Sequence, residues 1–232
     1  SHVCRLNHRQ TTNLATKLMD PVEHLQGAAL WTNGWYMPAK RLPSPNFGKR
    51  PAQTVINLIV LHSISLPPGN YGGQQVQQFF TNQLDWGAHP YFRHLEGMTV
   101  SSHFYIRRSG ELWQFVSCDH RAWHAGVSSY RGSSNCNDNS IGIELEGLEG
   151  DVFEDPQYTC LATLCVAITR LFPIAHIAGH EHIAPGRKSD PGSGFDWLRL
   201  QENMATEQPC PTRYEPERRV YFHPRMSPKQ SR

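Results

Sequence analysis

A chain of 232 residues that is 38% hydrophobic and 18% charged has enough apolar material for a packed core, which excludes a wholly disordered protein. No apolar run approaches the ~18 residues of a membrane span. The net charge is only +2, and residues 207–232 alone contribute +3. A body so close to neutral is not built to wrap nucleic acid, so neither a membrane nor a nucleic-acid partner is expected, and no protein partner is evident.

Residues 1–26 are polar and aperiodic, and residues 1–33 are read as an N-terminal extension. The largely apolar run Val55–Leu61 predicts a strand buried on both faces that ends at His62, followed by the loop signal Leu66-Pro67-Pro68-Gly69. Gln74–Thr81 suits a short helix. Ser102–Arg107 alternates, and Ser109-Gly110 turns it into Glu111–Val116, a β-hairpin. Ile141–Leu145 is a further strand. Asp155 and Pro156 read as N-cap and first residue of a helix with apolar positions 161, 164, 165, 168, 171 and 172, stopped by Pro173. Cys160 and Cys165 fall inside it as small fillers. Phe195–Met204 is a last helix. Five prolines break up residues 207–232, a tail that is either disordered or draped over the body with Tyr221 and Phe222 as anchors. The fold class is α/β: one domain, residues 34–206, with a central mixed β-sheet flanked by helices and loose extensions at both ends.

The six cysteines are scattered and form no C-x-x-C pair, which argues against a cysteine-rich zinc module and for a reducing compartment. Residues 1–30 show no basic-then-apolar leader pattern, so a cytoplasmic location is expected.

Thirteen histidines invite a search for a metal site. Three places carry chemistry. His62 closes a buried strand, where α/β folds gather ligands; alone, a histidine there is more often structural than a ligand. The stretch Gly179–Gly192 holds His180, His182, Lys188 and Asp190 among glycines and prolines, which describes a shaped loop and not a helix. Spacing does not choose between His180 and His182 as a ligand. Lys188 and Asp190 project to one side if the backbone is extended. Glu144 shares a strand face with Gly142 and Glu146, opposite Ile141, Ile143 and Leu145; buried there, it must be paired or working. Two imidazoles and a carboxylate holding one Zn²⁺ leave a position for water, a glutamate can move that water's proton to a leaving amine, and a lysine can stabilise an oxyanion. Those are the parts of amide hydrolysis. No G-x-S-x-G occurs, so a serine nucleophile is the weaker reading.

Gly34-Trp35, Arg41–Phe47, Val60–Gly69, Ala88-His89-Pro90, Arg121–Gly126, Cys136-Asn137-Asp138, Ser140–Gly147 and Gly179–Gly192 resemble, in colinear order over residues 34–200, the AmpD-type N-acetylmuramoyl-L-alanine amidases. The resemblance implies His62, His180 and Asp190 as ligands of one Zn²⁺, without His182, and Glu144 and Lys188 as catalytic residues. It implies an anhydro-muropeptide substrate, cleaved between the lactyl group of 1,6-anhydro-N-acetylmuramic acid and L-alanine. The setting would be cytoplasmic peptidoglycan recycling, with an indirect effect on β-lactamase induction. Trp123 and His124 lie in a family motif and are either sugar-pocket or packing residues, and His103 on the hairpin is equally divided. Ser63 replaces an Asn of the family. The family carries arginines close to the positions of Thr99 and Asn135 that would clamp stem-peptide carboxylates, and Arg131 or Arg107 would stand in for them here. Substrate contacts are thus expected at Ser63, Trp123, His124 and Arg131. The rivals are an amidase of intact peptidoglycan and a non-catalytic peptidoglycan binder; a binder has no need of Glu144. The segment 69–99 is a candidate cover over the site.

Overall fold

The computed structural model describes residues 30–207 and 220–223. Seven strands form one sheet: β1 Lys40–Arg41, β2 Leu58–Ile64, β3 Phe104–Ile106, β4 Leu112–Gln114, β5 Ser140–Glu146, β6 His176–Gly179 and β7 Tyr221–Phe222. Their order is β7-β6-β2-β5-β3-β4-β1. All neighbours are parallel except the β3–β4 hairpin, so the sheet is mixed, as expected. The helices are α1 Gln75–Phe80, α2 Asp155–Leu171, α3 His180–Ile183 and α4 Trp197–Glu207. None of the described helices is long and apolar enough to cross a membrane.

Side-chain alternation gives the sheet two unlike faces. Ile59, Leu61, Ile141, Ile143 and Leu145 point into a cluster with Leu161, Leu164, Cys165 and Ile168 of α2 and Leu200 and Met204 of α4. The opposite face carries Leu58, Val60 and Ala178, covered by Ala125, Cys136, Ile183 and Ala184 from loops and α3. Helices therefore seal one face, and turns build the other, where polar side chains find backbone partners.

Several boundaries move. The central strand starts at Leu58 and continues through His62 to Ile64, so His62 lies inside it. The N-cap of α2 is Glu154, not Asp155, because the Glu154 N–H donates to Gln157 Oε1 at 3.0 Å. Leu171 is exposed, so the buried stripe stops at Ile168. Phe195 packs with Phe153 and Tyr158, and α4 begins after it at Trp197. The stretch 179–192 opens with the helical turn α3, closed by the Ala184 N–H on His180 O at 3.0 Å; only the remainder is loop. Within the segment 69–99, α1 and a 3₁₀ turn Pro90–Leu95 place Phe79, Phe80 and Phe92 in a cluster with Tyr105 and Phe115.

Both expected domain boundaries are crossed by folded residues. Trp31 packs in the core, and Trp31–Thr32 pairs with Trp35–Tyr36. The two expected anchors, Tyr221 and Phe222, form edge strand β7 against His176 and Ile177. The rest of both extensions, with Cys4 and Cys210, lies outside the described residues. Cys118, Cys136, Cys160 and Cys165 are free.

His103 is structural. Its Nδ1 accepts the Gly142 N–H at 3.0 Å, and its Nε2–H donates to His120 O at 3.0 Å, which ties the approach to β3 to strand β5. Burial, reinforced by the Arg50 charge, lowers its pKa to about 3. The unfolded chain, with a histidine pKa near ~6.5, binds a proton that the fold excludes. The stability this neutral ring contributes is complete above that value and is lost as pH falls toward the folded pKa, at up to about 1.4 kcal/mol per pH unit. In urea unfolding, His103→Asn is less stable than the wild type at pH 7. The gap narrows by about 1–2 kcal/mol by pH 5; a constant gap would assign the pH dependence to another group.

Candidate metal centre and active site

The site is assembled along one line across the sheet. Strand β6 ends at Gly179, the register partner of Leu61, so His180 emerges level with His62 on β2. On the other side of β2, Glu144 of β5 is the register partner of His62. Parallel pairing in register puts all three on the loop-built face. Asp190 arrives from the returning loop, fastened by the Glu181 N–H on Asp190 O at 2.9 Å. Gly179 lets that loop close, since a Cβ there would sit 2.8 Å from Pro191 Cδ.

Three acceptor atoms converge. His62 Nδ1 and His180 Nδ1 are 2.9 Å apart, and Asp190 Oδ2 lies 3.1 Å from the first and 3.2 Å from the second. All three residues are buried. The protonation follows from the surroundings. His180 Nε2 lies 3.0 Å from Ala125 O, which can only accept, so Nε2 carries the proton and Nδ1 of the neutral ring is a lone pair. Burial and the neighbouring His180 lower His62 to about pKa 4. Burial alone would raise Asp190, but the two imidazoles against its Oδ2 outweigh it and hold the carboxylate below its usual range. Two imidazole nitrogens and a carboxylate oxygen facing one another in a buried spot fit a divalent cation.

Glu144 is buried, and its Oε2 has no hydrogen-bond partner. Burial raises its pKa well above the ordinary value; the Asp190 charge adds to this, and the Lys188 charge opposes it. Lys188 is exposed while Asp190, two residues on, is buried. The Lys188 charge nevertheless acts on both Glu144 and His62.

The remaining expected residues separate. His182 is turned away: its Nδ1 accepts the Gly179 N–H at 2.8 Å and its ring packs on Trp197 and His223. Ser63 is level with Leu145, and alternation directs it to the face opposite His62. Trp123 is half-buried and tied through its backbone to Ser101. His124 has both ring nitrogens engaged, with His62 Nε2 and with Ser140 Oγ. Arg131 is exposed at a tight turn with φ of 48°. Arg107 is spent on the carbonyls of Gly72 and Gly73, and Asn135 Oδ1 accepts from Arg121. Asn137, Ser140 and Arg187, given no role from the sequence, all touch the residues around the metal group; each lies in a motif quoted above, the one signal that pointed to them.

Comparison with known proteins agrees with this geometry. A family model described as N-acetylmuramoyl-L-alanine amidase matches residues 52–193. The 1,6-anhydro-N-acetylmuramyl-L-alanine amidase AmpD of Citrobacter freundii is 48% identical over 174 residues, covering 74% of this chain and 93% of the relative. AmpD of Escherichia coli K12 is 46% identical over 77% of this chain and 98% of its own. A crystal structure of a selenomethionine AmpD derivative superposes with a TM-score of 0.74 at 48% identity, covering 75% of this chain and 98% of that one. An amidase fold carrying a His-His-Asp group thus meets sequence similarity over most of the described body. The chain belongs to the N-acetylmuramoyl-L-alanine amidase family and is an amidase.

Proposed function

We propose that the protein is a zinc-dependent 1,6-anhydro-N-acetylmuramyl-L-alanine amidase that acts in cytoplasmic peptidoglycan recycling and thereby influences β-lactamase induction. The observation that carries the reading is the convergence of His62 Nδ1, His180 Nδ1 and Asp190 Oδ2 beside the unpartnered carboxyl of Glu144. The catalytic domain is assigned to residues 34–206, joined by Trp31 and by the β7 strand.

His62, His180 and Asp190 would hold one Zn²⁺ per chain, which supplies Lewis acidity at the scissile carbonyl and acidifies an attacking water. Glu144 takes a proton from the attacking water and returns it to the amine of L-alanine as the amide C–N bond breaks. Its burial keeps it out of bulk water, while the cation and Lys188 favour the carboxylate form it needs as a base. The Lys188 ammonium stabilises the oxyanion that develops on the carbonyl. Trp123, beside the metal-facing segment, is assigned to the substrate, with Arg131 as a stand-in for a peptide-clamping arginine of the family; Ser63, on the face opposite His62, leaves the set. His124 leaves that set because its nitrogens are occupied.

Mass spectrometry of products from an anhydro-muropeptide and from intact peptidoglycan, each with a chelator control, tests the activity. Chelator-sensitive release of free stem peptide from the anhydro-muropeptide alone is expected. Equal cleavage of intact wall would assign the enzyme to wall remodelling, with Thr99 and Asn135 as the first positions to restore to arginine.

Glu144→Ala is expected to keep zinc and lose roughly 10²–10⁴ in kcat. Asp190→Ala is expected to lose zinc, read by metal analysis after dialysis. Normal turnover in the first or full zinc content in the second would overturn that residue's role. Lys188→Ala should lower kcat by roughly 10²-fold or more with zinc content unchanged; a change confined to KM would make Lys188 a binding residue.

A further inference from the structure

Both imidazoles of the metal group direct Nδ1 inward and Nε2 outward, and one dipeptide meets both outward nitrogens. His124 Nδ1 lies 2.9 Å from His62 Nε2. Ala125 O lies 3.0 Å from His180 Nε2. The dipeptide is itself held. Asn137 Oδ1 accepts the N–H of His124 at 3.0 Å and of Ala125 at 2.8 Å. Arg187 Nη2 donates to Ala125 O and to Val127 O, both at 2.6 Å, so the loop that carries Asp190 grips the same segment.

The proton directions close without conflict. Cys136 O can only accept, so the single hydroxyl proton of Ser140 goes to it at 2.5 Å. Ser140 Oγ is then an acceptor, and His124 Nε2, 3.1 Å away, supplies the proton. His124 therefore presents a bare Nδ1 to His62. That places the His62 proton on Nε2 and leaves its Nδ1 as the lone pair facing His180 and Asp190. The contact needs space on strand β5: a Cβ at Gly142 would fall 2.5 Å from the His124 ring.

We propose that His124 and Ala125, held by Asn137, are a positioning pair that sets the tautomer and aim of both metal-binding imidazoles. The inference rests on the metal reading of the site. His124 acts through His62 and does not touch the substrate with its nitrogens. Outer partners of this kind orient ligand rings and raise their basicity.

The test is zinc affinity, measured by competition with a chromogenic chelator on the full chain. In His124→Phe the ring stays and both nitrogens go, and zinc binding is expected to weaken roughly 10–100-fold. In His124→Asn the side-chain oxygen takes the place of Nδ1 as acceptor, and most of that loss is recovered. Thermal unfolding of the zinc-free forms controls for folding. If the wild type binds no zinc, the metal reading itself fails. If the wild type binds one zinc and His124→Phe binds it equally well, only the positioning role fails. Equal weakening in both variants would reduce His124 to packing and overturn the acceptor role. Should His124→Phe not fold, long-range ¹H–¹⁵N correlation spectra of the wild-type zinc protein decide instead. They are expected to show protons on Nε2 of His62, His124 and His180; a proton on Nδ1 of His124 overturns the proposal.

Discussion

Three lone-pair atoms about 3 Å apart in a buried place repel one another unless a proton or a cation sits among them. The structure holds His62, His180 and Asp190 in that arrangement with long-range contacts from every side. Register across β6, β2 and β5 brings His180, His62 and Glu144 level. The glycine at 179 lets Pro191, and with it Asp190, approach. A cation at the meeting point turns the repulsion into attraction, and the same charge favours the ionised form of Glu144, which burial otherwise opposes.

The two faces of the sheet divide the work. The helix-covered face buries aliphatic side chains, the dominant source of stability in a domain of this size. The loop-built face carries smaller, separate apolar clusters and satisfies the polar groups between them one by one. Arg50 shows how: half-buried, it donates to the carbonyls of Cys118, Asp138 and Ser140 at 3.0, 2.6 and 2.9 Å. Burial lowers its pKa only to about 10, so it stays charged at neutral pH. Its donors shape the turn that presents Asn137 and Ser140. The support of the metal group therefore reaches back to a residue far from it in sequence.

Local patterns made much of this readable. The apolar run ending at Leu61, the alternation about Glu144 and the stripe 161–168 gave β2, β5 and α2, because burial imposes those periods directly. The hairpin followed from Ser109-Gly110. The errors fell where a single contact outweighs local preference: a Gln157 side chain moved a cap by one residue, and aromatic packing of Phe195 delayed α4. The short strand β7 had no periodicity to announce it. It exists because the edge of β6 offers Tyr221 and Phe222 a partner.

The choice between His180 and His182 marks the limit of spacing. Two positions apart around a helical turn, they point to different surroundings; one meets Ala125 and Asp190, the other Gly179 and Trp197. Resemblance to a family could select His180 but could not show why. Composition, periodicity and motif were sufficient for the fold class, the family and the residue types of the site, since these depend on side-chain chemistry and on neighbours close in the chain. Which nitrogen bears each proton, how His124 and Asn137 support the ligands, and how tightly the three acceptors meet depend on strand register and on contacts between distant segments. Those were decided only when the chain closed on itself, because hydrogen-bond direction is a property of where two groups end up in space.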